Sequence, residues 1–383
     1  MKNSDNPLIW IEISRSALQK NLQTLRDLLS AEVQLMPMVK ANAYGHGLEL
    51  CGKIFREGGA EYLAVNSIFE ARRLRTAGDS GLIYIAGYTS IGDLREAIEL
   101  NCELVIFNRE TLKELQKIGA PVKVHLKVET GINRQGVSAD EVSTFARAIQ
   151  STGNVQLAGA AMHFADIEDT RDYSFAQQQL AEFNAICARL EADGFSGFLR
   201  HAANSAATLL FPETHFDLVR AGIAIYGMWP SREVSISLAT EQQADLKKIV
   251  LTSALTWKTQ IAQIKTIPAG AKVGYGCTFE TTKKTKLAIL PVGYYDGFTR
   301  AYFKRASVLI HGCRAPVIGR VCMNIMMVDI TGISNTNLED EVVLLGKSRD
   351  DEITTEEMAE WGDTINYEVT TRIRENILRK VID

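Results

Sequence analysis

Long apolar runs are missing from this sequence of 383 residues. No window approaches the roughly 18 uninterrupted apolar residues that a membrane-spanning helix needs. The short apolar run near the N-terminus contains an internal glutamate, Glu12, which is atypical of a secretion signal. We therefore expect neither a membrane span nor secretion, and nothing in the sequence suggests a fragment.

An excess of basic charge is also missing. Lysine and arginine number 42 against 46 acidic residues, a formal net charge of -4. This balance gives neither a footprint for nucleic acid nor a polybasic patch for a membrane surface. Cysteine is sparse and scattered, without the paired short spacing of a zinc site or a disulfide scaffold. We expect no metal site, no nucleic-acid or membrane partner, and a reducing cytoplasm as the location.

An alternation of short apolar runs and amphipathic segments fills residues 12–245. Eight runs read as strands, at 33–39, 62–65, 82–86, 103–107, 122–128, 155–164, 198–203 and 218–226. Helical spacing of apolar residues lies between them, at 16–29, 67–77, 91–100, 109–118, 140–151 and 173–193. Eight strand-helix repeats predict an α/β fold with a (β/α)8 barrel, although an open doubly wound sheet has the same periodicity.

A second, β-rich region is predicted for residues 246–383. A polar stretch at 231–248 indicates a linker, and strand patterns follow at 254–267, 285–292, 306–310, 315–330 and 341–345. His311 and Gly312 fit a hairpin turn, and Thr354 with Glu357 fits a capping box at the start of a late helix. The N-terminal run 8–13 is strand-like as well.

A lysine at the end of a buried strand needs an explanation. Lys40 closes the apolar run that begins at Val33, and a glycine-broken turn follows. Desolvation there lowers an ammonium pKa toward neutrality and makes the amine a nucleophile. The alternative is a lysine that ends a strand and extends to solvent.

Other polar residues follow the remaining predicted strands, at the barrel end where active sites collect. Lys127 and Arg134 follow the fifth strand, His163 the sixth, His201, Asn204 and Ser205 the seventh, and Arg220, Gly222 and Ile223 the eighth. The loops after strands seven and eight are the usual phosphate site of a barrel. Ser205 and the backbone of Gly222 and Ile223 suit that role, and the alternative for Ser205 alone is a helix N-cap.

The segment Val39-Lys40-Ala41-Asn42-Ala43-Tyr44-Gly45-His46-Gly47 resembles the cofactor-binding lysine segment of the alanine racemase family. The strand ends named above resemble the family's segments in the same order. In the second region the resemblance continues at 272–276, 293–297, 319–324 and 365–368. The resemblance implies the barrel, pyridoxal 5'-phosphate as cofactor, and a β-rich domain, joined by residues 1–11, that contributes to the active site of the partner in a homodimer.

Residue roles follow from this resemblance. Lys40 would form the Schiff base with the cofactor, and Tyr275 of the other subunit would be the second base, since inversion needs a base on each face. His163 would lie near the cofactor ring and help Arg220 to lower the pKa of Tyr275, so that the tyrosine can act as a base. His201 would form a hydrogen bond with Arg220. The implied cofactor-binding residues are Lys40, Tyr44, His163, His201, Asn204, Ser205, Arg220, Gly222, Ile223 and Tyr367.

The resemblance also implies a substrate site. Arg134 and the backbone of Met323 would bind the substrate carboxylate, and Lys127 would be carbamylated, which turns a costly buried cation into an anion that holds Arg134. The implied entrance channel consists of Glu168, Tyr294, Arg300, Arg320, Asn324 and Ile365, and Tyr367 would close its inner gate. Asn324 replaces a frequent aspartate and Gln135 replaces an apolar residue, which bears on substrate range.

Arg220 also separates the candidate reactions. An arginine cannot accept a proton from the cofactor ring nitrogen, so the ring is a weak electron sink and proton exchange is favoured. The resemblance implies two-base interconversion of L- and D-alanine on the cofactor-bound substrate, supplying D-alanine for peptidoglycan. A broader racemase acting on serine, a basic amino-acid decarboxylase and a non-catalytic pyridoxal-phosphate-binding protein are the alternatives.

Overall fold

A computed structural model describes residues 7–241 and 249–383. The chain forms two compact units by its internal contacts. One contains the described residues between 17 and 252 except 44–47, and the other contains 44–47 with the described residues up to 16 and from 253 onward. Among the described residues, no helix is both long and apolar enough to cross a bilayer.

The first unit is a closed barrel of parallel strands. Six strands form one sheet in chain order, Tyr62–Val65, Leu82–Ile85, Cys102–Ile106, Val122–Lys127, Val155–Ala161 and Leu199–His201. Gln34–Pro37 pairs with Leu218–Ala221. Two backbone bonds close the ring, from Val39 N–H to the Ala64 carbonyl (2.8 Å) and from Arg220 N–H to the Ala203 carbonyl (3.0 Å). The predicted barrel and all eight of its strands are confirmed.

Helices connect these strands, as the apolar periodicity predicts. They are Arg15–Arg26, Leu48–Glu57, Ile68–Thr76, Leu94–Glu99, Arg109–Ile118, Val142–Ser151, Ser174–Ala192, Ser205–Leu210 and Arg232–Glu241. The predicted linker is wrong over Arg232–Glu241, where Ser231 Oγ accepts from the Val234 N–H and the helix buries Val234 and Leu238. Its remainder, 242–248, lies outside the described residues.

The second unit is mainly β. Its large sheet runs Cys313–Pro316, Ser307–Ile310, Glu341–Ser348, Leu255–Gln260, Ile9–Ser14 and Leu378–Ile382, with Asp351–Ile353 beside Glu341–Ser348. Gln263–Ile267, Thr285–Leu290 and Met326–Asp329 form a second sheet, and Lys272–Val273 pairs with Phe279–Glu280. Two helices, Thr355–Gly362 and Asn366–Thr371, complete it. The rings of Trp257, Phe298, Tyr302 and Trp361 pack in series in its core, 5.1–6.1 Å between neighbouring centroids.

Several strand predictions for this unit need correction. The single strand predicted at 315–330 is two strands, separated by a loop that contains Gly319 with φ of 70°. The strand predicted at 254–267 also divides in two, at Ile261 and Ala262. The hairpin at His311 and Gly312 is confirmed, with φ of 53° and 79°.

Three further elements of the second unit bear on the predictions. Thr354 caps the late helix by accepting from the Glu357 N–H at 3.1 Å, which is half of the predicted capping box, because the Glu357 carboxylate accepts from Arg314 instead. The helix Asn366–Thr371 and the strand Leu378–Ile382 were not predicted, because both are short and rich in polar residues.

Candidate active site

Lys40 follows the strand Gln34–Pro37 at the carboxyl end of the barrel. The next four residues, 41–44, form a left-handed helical turn with φ between 52° and 54°. This conformation costs non-glycine residues about 1–2 kcal/mol each. Asn42 Oδ1 accepts from the Leu48 N–H (2.8 Å) and Glu70 Oε1 accepts from the Ala41 N–H (2.7 Å). Side-chain hydrogen bonds therefore stabilise the strained turn that begins at Lys40.

Glu70 is the residue that holds this turn to the next strand end. Its carboxylate is 9% exposed and accepts from the N–H groups of Asn66 (2.7 Å) and Ser67 (3.3 Å) besides that of Ala41. Ser67 in return accepts from the Glu70 N–H, which completes a capping box. No role was predicted for Glu70 from the sequence. The spacing Ser67-x-x-Glu70 was the available signal, although it does not reveal the bond to Ala41.

Positive charge concentrates around Lys40. Burial and the charge of Arg134 lower the pKa of Lys40, against an opposing effect of Glu70. Burial and the charges of Arg220 and Arg134 also lower the pKa of Lys127, which ends the strand Val122–Lys127, well below its usual range. In both residues these effects favour the neutral, nucleophilic amine over the ammonium form.

His163 lies in the same positive field. Burial, followed by the charges of Lys127, Arg220, Arg134 and Lys40, lowers its pKa well below the usual range. This direction favours the neutral imidazole.

Arg220 is buried, with 8% of its surface exposed. Its guanidinium group contacts one imidazole nitrogen and three backbone carbonyl oxygens. Its Nη1 contacts His201 Nδ1 and donates to the His201 carbonyl, both at 2.7 Å. Its Nη2 donates to the carbonyls of Met162 (2.7 Å) and Ala202 (3.0 Å). Burial lowers the pKa of Arg220 to about 10, so the guanidinium keeps its charge at neutral pH. The contact of His201 with Arg220 that the resemblance implied is present.

Ser205 connects the loops after the last two barrel strands. Its Oγ accepts from the N–H groups of Gly222 (2.9 Å) and Ala224 (3.3 Å), with Ile223 between them in the chain. The helix N-cap is Asn204 rather than Ser205, because Asn204 Oδ1 accepts from the Ala207 N–H. The Asn204 amide also donates to Glu168 Oε1 at 3.1 Å, which brings this predicted entrance residue to the same loop.

Two predicted residues of the second unit pack on each other. Tyr44 and Tyr367 lie together, with ring centroids 6.2 Å apart. Gly45, beside Tyr44, has φ of 86°, and a Cβ there would meet the Thr370 carbonyl oxygen at 2.0 Å. The chain therefore requires glycine where these two segments meet.

Tyr275 follows the short strand Lys272–Val273 and is 73% exposed. A Cβ on Gly276 would lie 3.0 Å from an Arg320 guanidinium nitrogen, so this loop packs on Arg320. The Tyr294 N–H donates to the Cys322 carbonyl at 3.0 Å, next to Met323 and Asn324 in the chain. Burial raises the pKa of Cys322, and the charge of Arg300 opposes this effect. Ile365 directly precedes the helix Asn366–Thr371, and its side chain is 61% exposed.

This arrangement suits an anionic ligand. Four cationic or potentially cationic side chains, Lys40, Lys127, Arg134 and Arg220, act on one another at one end of the barrel. Among residues 7–241 and 249–383, no group of three or more His, Cys, Asp and Glu side chains is placed to hold a metal ion. An anion with a group that reacts with amines would complement the cations and Lys40 together.

Known proteins share both units. The family model described as alanine racemase, N-terminal domain, matches residues 13–230, and that described as alanine racemase, C-terminal domain, matches 254–381. The chain is 38% identical over 376 residues to the alanine racemase of Methanococcus maripaludis, covering 97% of this chain and 98% of that protein. The alanine racemase of Desulforamulus reducens is 38% identical over 98% of this chain and 99% of its own length.

Solved structures give the same result. Alanine racemase from Streptomyces lavendulae has a TM-score of 0.89 at 34% identity, over 99% of this chain and 98% of its own. Alanine racemase from Bacillus anthracis with bound L-Ala-P has a TM-score of 0.92 at 31% identity, over all of this chain and 96% of its own.

Proposed function

Because the chain belongs to the alanine racemase family, we propose that Lys40 and Tyr275 are its two catalytic bases, with Tyr275 supplied by the partner subunit. Membership gives the reaction, which is the interconversion of L- and D-alanine by a pyridoxal-phosphate-dependent isomerase. The matched proteins support this activity and none of the alternatives of decarboxylase, serine racemase or cofactor-binding protein. The residue roles are our proposal.

The cofactor fits the barrel end by charge. Pyridoxal 5'-phosphate carries a phosphate and a phenolate, and the described side chains there are predominantly cationic. When bound, the cofactor withdraws electrons from the substrate α-carbon and makes its proton acidic. Lys40 would hold it covalently, and the Ser205 hydroxyl with the Gly222 and Ile223 backbone would hold the phosphate. Asn204 positions this loop, and Tyr44 and Tyr367 would add phosphate contacts.

The Arg220 guanidinium would face the cofactor ring nitrogen. Its Nη1 and Nη2 groups donate to His201 Nδ1 and to three backbone carbonyls, and these hydrogen bonds fix its orientation. A guanidinium donates hydrogen bonds and cannot accept a proton. Arg220 would therefore leave the ring nitrogen of a bound cofactor unprotonated, which would favour rapid return of the α-proton. His163 would lie beside the ring as a neutral hydrogen-bonding group.

Lys127 would carry a carbamate. Its lowered pKa favours the neutral amine, which forms an N–C bond to CO2 and releases one proton. The resulting anion would offset the charges of Arg220 and Arg134, whose fields otherwise oppose a lysine cation there. Arg134, held near Glu129 by a backbone N–H donated to Oε2 at 3.2 Å, would bind the substrate carboxylate together with the Met323 backbone.

A homodimer would complete the site. The loop side chains of Tyr275, Tyr294, Met323 and Ile365 are between 40% and 73% exposed. Exposed apolar groups of this size on hydrogen-bonded loops favour burial against a partner. A second copy of the chain would cover them, and the barrel of residues 12–245 would bind cofactor opposite the partner's domain of residues 246–383 with 1–11. Arg300, Arg320, Glu168, Asn324 and Ile365 would line the entrance. We place the enzyme in the cytoplasm, where it would supply D-alanine for peptidoglycan.

One experiment tests the two-base assignment. Proton NMR of L-alanine in deuterated water follows loss of the α-proton, and chiral analysis of the same sample follows D-alanine. We expect Tyr275→Phe to reduce racemisation by about 10²- to 10⁴-fold with cofactor still bound, since that is the usual contribution of a positioned acid or base. The matched control is Tyr295→Phe, another exposed tyrosine of the same unit, which should retain activity. Retained racemisation in Tyr275→Phe would remove Tyr275 from its role.

A further inference from the structure

A row of buried polar side chains extends from Arg220 into the barrel interior. His201 Nδ1 lies 2.7 Å from Arg220 Nη1, and His201 Nε2 lies 2.9 Å from His125 Nδ1. His125 Nε2 lies 2.8 Å from Glu103 Oε2. Both histidines are 0% exposed and Glu103 is 4% exposed. Four residues on four strands thus form one hydrogen-bonded row.

The chemistry of arginine sets the direction of every hydrogen in this row. Arg220 only donates, so His201 Nδ1 must carry a lone pair. The proton of neutral His201 is then on Nε2 and is donated to His125 Nδ1. His125 in turn has its proton on Nε2 and donates it to Glu103. The opposite direction would leave His201 accepting at both nitrogens, which a neutral imidazole cannot do.

Glu103 is held as the acceptor at the far end. Tyr62 Oη donates to Oε2 at 3.0 Å, and Lys123 Nζ lies 3.4 Å from Oε1. Burial raises the pKa of Glu103, but hydrogen bonds from His125 and Tyr62 and the nearby charge of Lys123 oppose burial, and the net direction is downward. The side chain is therefore a carboxylate, and His125 and Tyr62, which both contact Oε2, fix its orientation.

The neighbouring strand is shaped to admit the row. The pairing of Val122–Lys127 with Val155–Ala161 shifts register between Val124 and His125, which places Gly159 opposite His125. A Cβ on Gly159 would lie 2.2 Å from His125 Nδ1, the atom that accepts from His201. Tyr84 packs on both imidazoles, with centroids 4.8 Å from His125 and 5.8 Å from His201. Space for the imidazole pair thus depends on a glycine and a bulge.

We propose that His125 and Glu103 are positioning residues for the reaction, fixing His201 in its Nε2–H tautomer so that its Nδ1 lone pair holds Arg220. The Glu103 carboxylate also supplies the negative charge that balances the buried guanidinium through the row. Loss of either residue would loosen the Arg220 guanidinium. The kinetic consequence rests on the proposed role of Arg220, whereas the tautomers do not depend on it.

The tautomers are measured first, in cofactor-free and cofactor-loaded protein. Histidine labelled with ¹⁵N gives six side chains, which long-range ¹H–¹⁵N spectra assign to tautomers with single histidine variants as references. We expect Nε2–H forms for His201 and His125 in both states. An Nδ1–H form of His201 would overturn the proposal, whatever the activity.

Kinetics then test the effect on the reaction. Glu103→Gln keeps the shape and removes the charge, and Lys123→Gln is the control because it removes only the half-exposed partner of Glu103. We expect Glu103→Gln to lower kcat about tenfold, with little change in KM for alanine, and to shift the His201 ¹⁵N resonances. Lys123→Gln should stay within about twofold of wild type. Equal effects of the two variants, or unchanged kcat and resonances in Glu103→Gln, would overturn the proposal.

A second variant tests the proposal independently, in case Glu103→Gln does not fold. His125→Phe keeps the ring packing on Tyr84 but leaves the His201 Nε2–H without its acceptor. We expect a folded protein, by circular dichroism, whose His201 resonances move and whose kcat falls at least as far as in Glu103→Gln. Unchanged His201 resonances in a folded His125→Phe protein would contradict the proposal. If the NMR results hold while Arg220→Lys keeps wild-type kcat, the proposed role of Arg220 has failed and the tautomer assignment has not.

Discussion

Replacing Glu70 tests whether the turn at Lys40 is held by one carboxylate. In Glu70→Gln, an amide replaces a group that accepts from the N–H groups of Ala41, Asn66 and Ser67. If the amide oxygen keeps the two bonds to Asn66 and Ser67, the amide NH2 faces the Ala41 N–H. One charge-assisted bond is then lost and one buried donor is left unpaired.

These losses set the expected magnitude. A hydrogen bond to a charged group contributes about 1.5–3 kcal/mol, and an unsatisfied buried donor costs about 1–3 kcal/mol. Because the two describe overlapping effects at Ala41, we expect the free energy of barrel unfolding to fall by about 2–3 kcal/mol. Racemisation should fall about ten- to a hundredfold, since small displacements of a reacting group cost that much.

The assay is urea unfolding followed by circular dichroism, together with racemisation under saturating cofactor. Glu114→Gln is the matched control, because Glu114 forms a surface pair with Lys117 at 3.0 Å and contacts no part of the turn. The reasoning is refuted if Glu70→Gln unfolds at the same urea concentration as the control and retains full activity.

Three further predictions follow from the charges at the site. Supplying ¹³C-bicarbonate should give a carbamate NMR signal that Lys127→Gln abolishes and Lys123→Gln retains; its absence from wild type would argue against the modification. Cofactor-free protein should lose stability as pH falls below about 6.5, by up to about 1.4 kcal/mol per pH unit for each of His163 and His201. The reason is that these histidines bind protons in the unfolded state and not in the folded state. A free energy of unfolding that stays constant from pH 7 to 5 would contradict this. Arg220→Lys cannot satisfy all four acceptors that Arg220 contacts, so thermal unfolding should occur several degrees lower, and an unchanged midpoint would show that these bonds contribute little.

The eight strands of the barrel were predictable because strand and helix periodicity is local, whereas the preference for a barrel over an open doubly wound sheet came from the family resemblance. Alternating strand and helix periodicity gives the eight strands, and polar residues such as Lys40 and Arg220 mark their carboxyl ends. The left-handed turn at 41–44 was not predictable from propensity, since non-glycine residues disfavour it. It depends on the Glu70 side chain, whose contact with Ala41 joins separate strand ends.

The row of buried polar side chains behind Arg220 was likewise not predictable from local sequence patterns. His125 is buried on the strand Val122–Lys127, yet nothing local indicates that Glu103 on the preceding strand accepts from it. That contact depends on barrel closure and on the register shift opposite Gly159. Residues Arg232–Glu241 were predicted as part of a linker because of their polar composition, but they form a helix that buries Val234 and Leu238.

We expect each active site to combine Lys40 of one chain with Tyr275 of its partner. Complementation tests it most directly, using Lys40→Ala and Tyr275→Phe chains that carry different affinity tags and are purified as mixed dimers. In a shared-site dimer, one of the two sites regains both wild-type residues, so the mixed dimer should show about half of the wild-type activity although each parent dimer is inactive. A mixed dimer as inactive as its parents would mean that Lys40 and Tyr275 act within one chain, and would contradict the account.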